Sequence, residues 1–285
     1  MTRGSARYRL DTELVRRGLA PSRDRARQLV EQGVVLVRGT VADKAARLVS
    51  RDEPVVVEVG ARFVSRGGDK LEAALERFAI EVSERHCLDA GASTGGFTDC
   101  LLQRGAASVV AVDVGHGQIH PRLRGDPRVR VLERTNVRLL GPDDVDGARF
   151  HVMVADLSFI SLTAVAPVLV GPLAIEGADV VVLVKPQFEV GRVAASRGRG
   201  VIRDPVMRRE ALQSVVGALE SCGATIMGAM ASPIVGRAGN VEFLLHARAR
   251  VSIGHGGRWE TGRPVDEMLD GAIAESPETP RGAAP

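Results

Sequence analysis

Two lysines and two carboxylates in this chain of 285 residues stand where a folded sheet could gather them. Asp156 follows the apolar run "FHVMVA", Lys185 follows "VVVLV", Glu242 precedes "FLLHAR", and Lys70 lies between a glycine-rich stretch and the first predicted helix that follows it. Of the 38 residues that are Lys or Arg, only Lys44, Lys70 and Lys185 are lysines. A lysine in a suitable site can give up its proton, which an arginine effectively cannot do. Lysines beside carboxylates therefore favour proton-transfer chemistry, with Lys185 as the candidate base.

The elements that would position these side chains are apolar runs that alternate with helical stretches from residue 71 onward. The runs read as short strands: "HCLDAGAS", "SVVAVDVG", "VRVLER", "FHVMVADLS", "ADVVVLVKP", "ATIMGAMASPI" and "VEFLLHARAR". This alternation predicts an α/β fold in which helices cover both faces of a parallel sheet. Open sheets of this kind bind ligands at the carboxyl ends of their strands, where Asp156 and Lys185 would lie. The alternative for Lys185 is a strand-end charge whose stem covers apolar surface.

A glycine-rich loop, "LDAGASTGGFTDCLLQRG", follows the first of these strands and opens a helix. Gly91, Gly95 and Gly96 allow the backbone to approach a ligand closely, and the free amides at the helix start favour an anionic group. Asp113 ends the next strand, 22 residues after Gly91, where a carboxylate can accept hydrogen bonds from two ribose hydroxyls. Asp89 suits the amino end of a methionine-like cofactor. The alternatives are tight packing for the glycines and a turn or cap for Asp89.

Residues 1–60 read as a separate, basic α+β module. They carry 12 Lys or Arg against 8 Asp or Glu, while the remaining 225 residues carry 26 against 27. Ser22 is the predicted N-cap and Gly33 the predicted C-terminal stop of one helix. The basic surplus indicates a polyanionic partner, and the alternative is a solvated basic face. We expect a hinge over 61–70 and a disordered tail over 251–285, where Gly, Pro, Ala and Glu dominate.

In combination, these features resemble the TlyA family. The set Lys70–Asp156–Lys185–Glu242, with "DAGASTGGFTDCLL" and "VKPQFE", is similar to the K-D-K-E tetrad of FtsJ-type ribose 2'-O-methyltransferases. The stretch "FVSRGGDKLEAAL" and the N-terminal module make the resemblance specific to the TlyA family among these methyltransferases. The resemblance covers about residues 7–249. The family often has Trp or Tyr between its domains, where this chain has Phe63.

The resemblance implies a fold, a cofactor and a substrate. The fold would be a Rossmann-like S-adenosylmethionine (SAM)-dependent methyltransferase domain over 71–250, with a seven-stranded, mostly parallel sheet, preceded by a small α-L RNA-binding domain. SAM would be the methyl donor, and ribosomal RNA in the ribosomal subunits the acceptor. The target would typically be a cytidine 2'-hydroxyl in 16S and/or 23S rRNA.

The resemblance also implies roles for individual residues. Lys185 would be the general base, Asp156 would steer it, and Lys70 and Glu242 would position the ribose. The residues expected to bind the cofactor are Asp89, Gly91, Ser93, Gly95, Gly96, Phe97, Asp113, Asn136 and Asp156. The residues expected to contact RNA are Arg7, Arg16, Arg23, Arg27, Arg66, and Arg197 and Arg199 of the loop 190–204. For that loop, plain solvent exposure is an equal alternative.

Other functions stay open at this point. A non-catalytic ribosome assembly factor would keep the fold, although an intact tetrad argues against it. The TlyA family has also carried a haemolysin label, but no amphipathic or spanning segment supports a membrane-lytic protein. A small-molecule methyltransferase would not need residues 1–60. The sequence shows no signal peptide, no apolar run near the ~20 residues of a membrane span and no metal-ligand spacing. We therefore expect a cytoplasmic protein with neither a membrane partner nor a metal.

Overall fold

The chain forms two compact units in the computed structural model. The structure describes residues 6–57, 62–190, 200–236, 239–249 and 263–277. One unit spans Met1–Arg66 and the other Gly67–Pro285. The division between them falls inside the range 61–70, where the sequence predicts a hinge.

The N-terminal unit is a small α+β structure with an aliphatic core. Its elements are β1 (Arg7–Arg9), α1 (Leu10–Arg16), α2 (Arg23–Glu31), β2 (Val35–Val37), β3 (Thr40–Val41), β4 (Leu48–Ser50) and β5 (Val55–Val57). Strand β1 pairs with β4, and β2 lies between β3 and β5, with every pairing antiparallel. Ser22 caps α2 as predicted, because its hydroxyl accepts a hydrogen bond from the Arg25 backbone N–H. Gly33 follows the helix with a φ of +73°, the left-handed conformation that glycine adopts without strain.

The larger unit alternates strands and helices. Its elements are α3 (Gly67–Arg77), β6 (His86–Ala90), α4 (Gly96–Gln103), β7 (Ser108–Val112), α5 (Pro121–Arg124), β8 (Val129–Leu132), β9 (Phe150–Ala155), α6 (Ala166–Leu169), β10 (Ala174–Val184), α7 (Pro186–Glu189), α8 (Pro205–Ser221), β11 (Thr225–Ala231), β12 (Phe243–Arg248) and α9 (Val265–Ala274). Short 3-10 turns occupy Val137–Leu139, Pro142–Val145 and Leu162–Ala164.

Within the described residues, seven strands of this unit form one sheet in the order β11-β12-β10-β9-β6-β7-β8. Strand β12 is antiparallel to both of its neighbours, and the remaining pairings are parallel. The predicted seven-stranded, mostly parallel sheet is therefore confirmed. The core around it is almost wholly aliphatic, which is what a chain with 3% aromatic residues must build.

The prediction of a disordered tail over 251–285 is wrong where α9 forms. Leu269 and Ala272 of this helix are each 1% exposed and belong to the main hydrophobic core. Arg209 of α8 also pairs with Asp266 and Asp270 of α9. The Gly- and Pro-rich composition of the range conceals this short amphipathic segment, which becomes ordered because it buries apolar side chains. Residues 250–262 and 278–285 lie outside the described residues.

Replacing Leu269 by alanine tests whether α9 belongs to the folded core. We expect Leu269→Ala to lower the free energy of unfolding by about 2–5 kcal/mol, because it removes a fully buried side chain and leaves a cavity. Glu267→Ala changes an exposed position of the same helix and should alter stability by less than about 0.5 kcal/mol. Urea unfolding of both variants measures the difference. Equal stabilities would mean that α9 does not pack on the core in solution.

Candidate functional site

The predicted site residues gather at one edge of the large sheet. Ala155 at the end of β9 pairs with Ala90 of β6, and β10 lies on the other side of β9. Val184, the last residue of β10, stands opposite Phe243, the first residue of the antiparallel strand β12. The residues that directly follow β9 and β10 and directly precede β12 therefore meet at this edge, and they are Asp156, Lys185 and Glu242.

Lys185 and Asp156 form a close ion pair at this edge. The Lys185 Nζ atom lies 2.6 Å from Asp156 Oδ1 and donates a hydrogen bond of 2.9 Å to the hydroxyl of Ser158. The lysine side chain is 12% exposed and the aspartate side chain 23% exposed. The amine is thus fixed by two partners and still reachable from solvent, as a proton acceptor for a bound substrate must be.

Lys70 pairs with Glu242 in a more deeply buried position. The Lys70 amine donates a hydrogen bond to Glu242 Oε2, and the side chains are 11% and 4% exposed. Lys70 is the fourth residue of α3, so the expectation that it precedes the first helix of the large unit is wrong. The tetrad therefore consists of two lysine–carboxylate pairs, each joining separate elements of the fold.

A pair of aromatic rings, one exposed and one half-buried, follows the two strands that end at Asp156 and Lys185 and was missed from the sequence. Phe159 is 92% exposed, has a φ of +67°, and lies with its ring centroid 5.2 Å from that of Phe188. Phe159 follows β9 by four residues, and Phe188 belongs to α7, which begins directly after Lys185. Only 3% of the residues are aromatic, so two phenylalanines that follow consecutive strands could have been predicted to form a functional pair.

The glycine-rich loop lies at the same edge, and its glycines are needed by the fold itself. Gly91 has a φ of +87°, and a Cβ atom there would lie 2.6 Å from the backbone oxygen of Asp156. Gly95 has a φ of +95° and is the N-cap of α4, which begins at Gly96. A side chain at Gly91 would therefore push β6 away from Asp156, whatever the loop binds. The packing alternative for Gly91 has direct support, and its predicted contact with a cofactor stays a prediction.

Asp89, inside β6, is fully buried and only partly satisfied. Its Oδ2 atom accepts a hydrogen bond of 2.6 Å from the hydroxyl of Thr98, while its Oδ1 atom has no hydrogen-bond partner. Burial raises the pKa of Asp89 to about 7, the Thr98 hydroxyl lowers it, and the carboxylates of Asp156 and Asp113 raise it. A buried carboxylate oxygen without a donor is costly unless a ligand supplies one. The site therefore suits a cationic group at Asp89, such as an ammonium. Phe97, the second residue of α4, is buried, with 3% of its surface exposed.

Asp113 follows β7 and organises the neighbouring loops. Its two carboxylate oxygens accept backbone hydrogen bonds from Ser93 at 2.8 Å and Gly115 at 2.6 Å. An ionised carboxylate offers about four acceptor positions, so these bonds leave room for hydroxyl donors. Asn136 caps the 3-10 turn that follows β8, with its side-chain oxygen accepting from the Arg138 N–H. The adjacent Thr135 N–H donates to the backbone oxygen of Asp113 at 3.0 Å, so this turn lies beside the end of β7.

In the N-terminal unit, arginines cluster around the buried carboxylate of Asp11. Arg9 donates two hydrogen bonds to it, Arg23 donates a third, and Arg27 lies 3.7 Å away. The hydrogen bond from Arg9 is the largest cause that holds the pKa of Asp11 well below its usual range. Arg23 and Arg27 were predicted to contact RNA, whereas Arg9 was missed. The three arginine side chains are 45–51% exposed. Asp11 therefore holds each guanidinium on one side, while the other N–H groups face solvent.

The other arginines predicted to contact RNA are Arg16, Arg7, Arg66, Arg197 and Arg199, and they have different surroundings from the arginines around Asp11. Arg16 pairs with the buried carboxylate of Glu13, and the hydrogen bond from Arg16 is the largest cause that lowers the pKa of Glu13 to about 2. Arg7 lies exposed in β1, and Arg66 is half-buried at the end of the N-terminal unit. Arg197 and Arg199 lie outside the described residues.

Comparison with known proteins extends over both units. The FtsJ-like methyltransferase family matches residues 63–249, and the S4 domain family matches residues 9–55. Within the part of the chain that the structure describes, no helix has the length and apolar character that crossing a bilayer requires.

Individual relatives are similar over nearly the whole chain. The chain is 49% identical over 273 residues to "16S/23S rRNA (cytidine-2'-O)-methyltransferase TlyA" of Mycobacterium tuberculosis, which covers 95% of this chain and 99% of that protein. It is 40% identical over 240 residues to "Hemolysin A" of Brachyspira hyodysenteriae, over 84% of this chain and 98% of that protein. The solved structure "Putative hemolysin from Streptococcus thermophilus" aligns with a TM-score of 0.71 and 35% identity, over 95% of this chain and 98% of that chain.

Replacing Asp89 by asparagine tests its unusual titration. Because burial raises the pKa of Asp89 from 3.8 to about 7, the folded protein keeps this proton at pH values where the unfolded chain has released it. The contribution of Asp89 to the free energy of unfolding therefore decreases as pH rises from about 4 to about 7. Asparagine does not titrate, so the stability of Asp89→Asn relative to the wild type should increase across that window. Urea unfolding at both ends of the window measures this change, and a constant difference would contradict the raised pKa.

Proposed function

Because this chain belongs to the TlyA family of FtsJ-like methyltransferases with an N-terminal S4 domain, we propose that it methylates the 2'-hydroxyl of a cytidine in 16S and/or 23S ribosomal RNA. The observation that carries the proposal is the Lys185–Asp156 ion pair, which lies at the edge where open α/β sheets bind ligands. The relative with 49% identity bears the same activity in its name, and the matched S4 domain supports an RNA substrate.

The residues around the glycine-rich loop fit SAM. Asp89 offers its unpartnered oxygen to the ammonium of the methionine moiety, and Asp113 offers its remaining acceptor positions to the ribose hydroxyls. Ser93, Phe97 and Asn136 complete the proposed contacts, together with Gly91, Gly95, Gly96 and Asp156. When bound, SAM supplies a methyl group activated by its sulfonium. The protein must therefore activate and place only the acceptor hydroxyl.

Lys185 activates that hydroxyl. A ribose 2'-hydroxyl is a very weak acid, so its proton must leave as the oxygen–carbon bond forms, and the Lys185 Nζ atom takes it when the amine is in its neutral form. Asp156 and Ser158 hold the amine in one direction at 2.6 Å and 2.9 Å. The carboxylate of Asp156 also stabilises the ammonium that results from the transfer. Lys70 and Glu242, fixed to each other in their buried pair, position the ribose.

The aromatic pair supplies an apolar surface beside the amine. Sequence-tolerant and sequence-specific RNA-binding proteins alike stack unpaired bases on exposed aromatic rings. Phe159 is 92% exposed, so its contact with Phe188 leaves most of its ring in solvent. We assign to Phe159 and Phe188 the contact with the base of the target nucleotide.

The S4 domain supplies affinity and placement. Arg23 and Arg27 share one face of α2 around Asp11, and a fixed cluster of guanidinium groups suits RNA phosphates because less side-chain freedom is lost on binding. Arg7, Arg16, Arg66, Arg197 and Arg199 extend the proposed RNA contacts.

The haemolysin names of some relatives favour a second candidate function, lysis of membranes. No feature of the two lysine–carboxylate pairs would serve that activity. Leakage of a dye from lipid vesicles tests it directly, and we expect no leakage above that of a heat-denatured sample.

Replacing Lys185 by arginine distinguishes two roles for this residue, that of a general base and that of a positive charge that only positions other groups. Lys185→Arg keeps the positive charge and most of the reach but cannot release a proton at neutral pH. If Lys185 is the base, single-turnover methyl transfer to ribosomal subunits should fall by about 10²–10⁴-fold in both Lys185→Arg and Lys185→Ala. SAM affinity, measured by calorimetry, should change little in either variant. An arginine variant within a few-fold of the wild type would make Lys185 a positioning charge.

Replacing the arginines around Asp11 tests the S4 domain. Arg23→Gln with Arg27→Gln should weaken binding to ribosomal subunits and lower the slope of log affinity against log salt by about 2, because two phosphate contacts are lost. Arg25→Gln is the matched control, since Arg25 lies on the same helix but bonds to Gln28 instead. Filter binding over a range of salt concentrations measures both quantities. Similar losses in the control and the double variant would remove this cluster from the RNA interface.

A further inference from the structure

The carboxylate of Glu189 joins the two chain segments that carry the proposed catalytic pair. Glu189 is the last residue of α7, which begins one residue after Lys185. Its Oε2 atom accepts a hydrogen bond of 2.5 Å from the Ser161 hydroxyl, and its Oε1 atom accepts one of 3.0 Å from the Leu162 backbone N–H. Ser161 and Leu162 belong to the segment that follows β9, five and six residues after Asp156. Glu189 therefore connects the end of β9 with the end of β10 beyond the sheet itself.

Three contacts of the proposed active site cross between these same segments, and one of them is the hydrogen bond from Lys185 to Ser158. The ion pair joins Asp156 of the first segment to Lys185 of the second. The aromatic contact joins Phe159 of the first segment to Phe188 of the second. The distance in each pair depends on how the segments lie relative to one another. Beyond the strands, where ladder hydrogen bonds have ended, Glu189 provides two bonds that fix this relation.

Glu189 lies where burial disfavours the charged form of its carboxylate. Burial raises the pKa of Glu189, while the Leu162 N–H and the Ser161 hydroxyl lower it. Leu162, to which it bonds, is 3% exposed and packs in the main core. The two hydrogen bonds from Ser161 and Leu162 offset the hydration that the partly buried carboxylate loses. Because both donors belong to the segment after β9, these bonds give that segment and α7 a defined geometry relative to each other.

We propose that Glu189 is a positioning residue that holds the segment after β9 against α7, and thereby sets the distances within both the Lys185–Asp156 and the Phe159–Phe188 pairs. The role in methyl transfer rests on the proposed function, whereas the structural link does not. Glu189 acts through its two acceptor oxygens and does not touch the reacting atoms. A side chain that offers a hydrogen-bond acceptor of the same length should therefore replace it, even without the charge.

Glu189→Ala and Glu189→Gln test the role of the acceptor. Glu189→Ala removes both hydrogen bonds, and single-turnover methyl transfer to ribosomal subunits should fall by about 10²-fold, because a displacement near 1 Å has that effect. Glu189→Gln should stay within a few-fold of the wild type, since its amide oxygen can accept from Leu162 and its amide N–H can donate to the Ser161 hydroxyl. SAM affinity should stay within a few-fold in both. Glu220→Ala, at an exposed position of α8, controls for loss of a carboxylate.

Hydrogen exchange supplies a readout that does not require activity. In Glu189→Ala, backbone amides of residues 157–163 should exchange faster than in the wild type, while those of β9 and β10 keep their protection. In Glu189→Gln, all of these rates should match the wild type. A further outcome is that the wild type shows no methyl transfer while residues 157–163 exchange faster in Glu189→Ala than in the wild type. That result would support the structural link through Glu189 and contradict the proposed function.

Two results would overturn the positioning role. One is unchanged exchange of residues 157–163 in Glu189→Ala. The other is a Glu189→Gln variant as inactive as Glu189→Ala with normal exchange, which would make the charge itself part of the chemistry. If Glu189→Ala does not fold, Ser161→Ala removes one of the two hydrogen bonds and is measured in the same way. The double variant of Ser161→Ala and Glu189→Gln should lose no more activity than Ser161→Ala alone, because both changes act on the same contact.

Discussion

The ion pair between Lys185 and Asp156 is the interaction on which the rest of the site depends. Its partners directly follow neighbouring parallel strands, so the 2.6 Å contact exists only while β9 and β10 keep their register. Partly buried charges lose hydration that only a close partner restores, which makes this pair sensitive to small displacements. The sheet fixes the two backbones, the Ser158 hydroxyl fixes the amine, and the Glu189 carboxylate fixes the segments beyond the strands. The amine that is proposed to react is thus placed by elements that have no proposed part in the reaction.

The distribution of charge at this edge matches a cationic cofactor. Lys185 neutralises Asp156 and Lys70 neutralises Glu242, whereas Asp89 and Asp113 bond to hydroxyl and backbone donors. Burial, and to a lesser degree the carboxylates of Asp156 and Asp113, raise the pKa of Asp89 to about 7. A ligand with a sulfonium and an ammonium would favour the charged form of Asp89 and would donate a hydrogen bond to its Oδ1 atom. The carboxylates at this edge therefore fit the proposed cofactor.

The N-terminal unit also uses buried carboxylates to hold cationic side chains in place. Asp11 and Glu13 are buried carboxylates that hold arginines in place, and the outer faces of those arginines stay in solvent. Long arginine side chains lose considerable rotamer freedom when they bind phosphate, and prior fixation reduces that loss. In both units a buried or half-buried carboxylate orders a cation that is proposed to act on RNA.

The sequence by itself determined the order of strands and helices, the cap at Ser22, and the strand-end positions of Asp156, Lys185 and Glu242. Hydrophobic period, helix caps and breaks in apolar runs are local signals, and they are sufficient for these features. Only the tertiary structure brought each lysine into contact with its carboxylate, because that contact depends on the sheet order, in which β12 inserts between β10 and β11. The same holds for the clustering of Arg9 with Arg23 and Arg27, the contact between Phe159 and Phe188, and the helix α9 within the predicted tail. Each of these joins residues far apart in the chain or depends on burial against a distant surface, and no local pattern encodes such a partner.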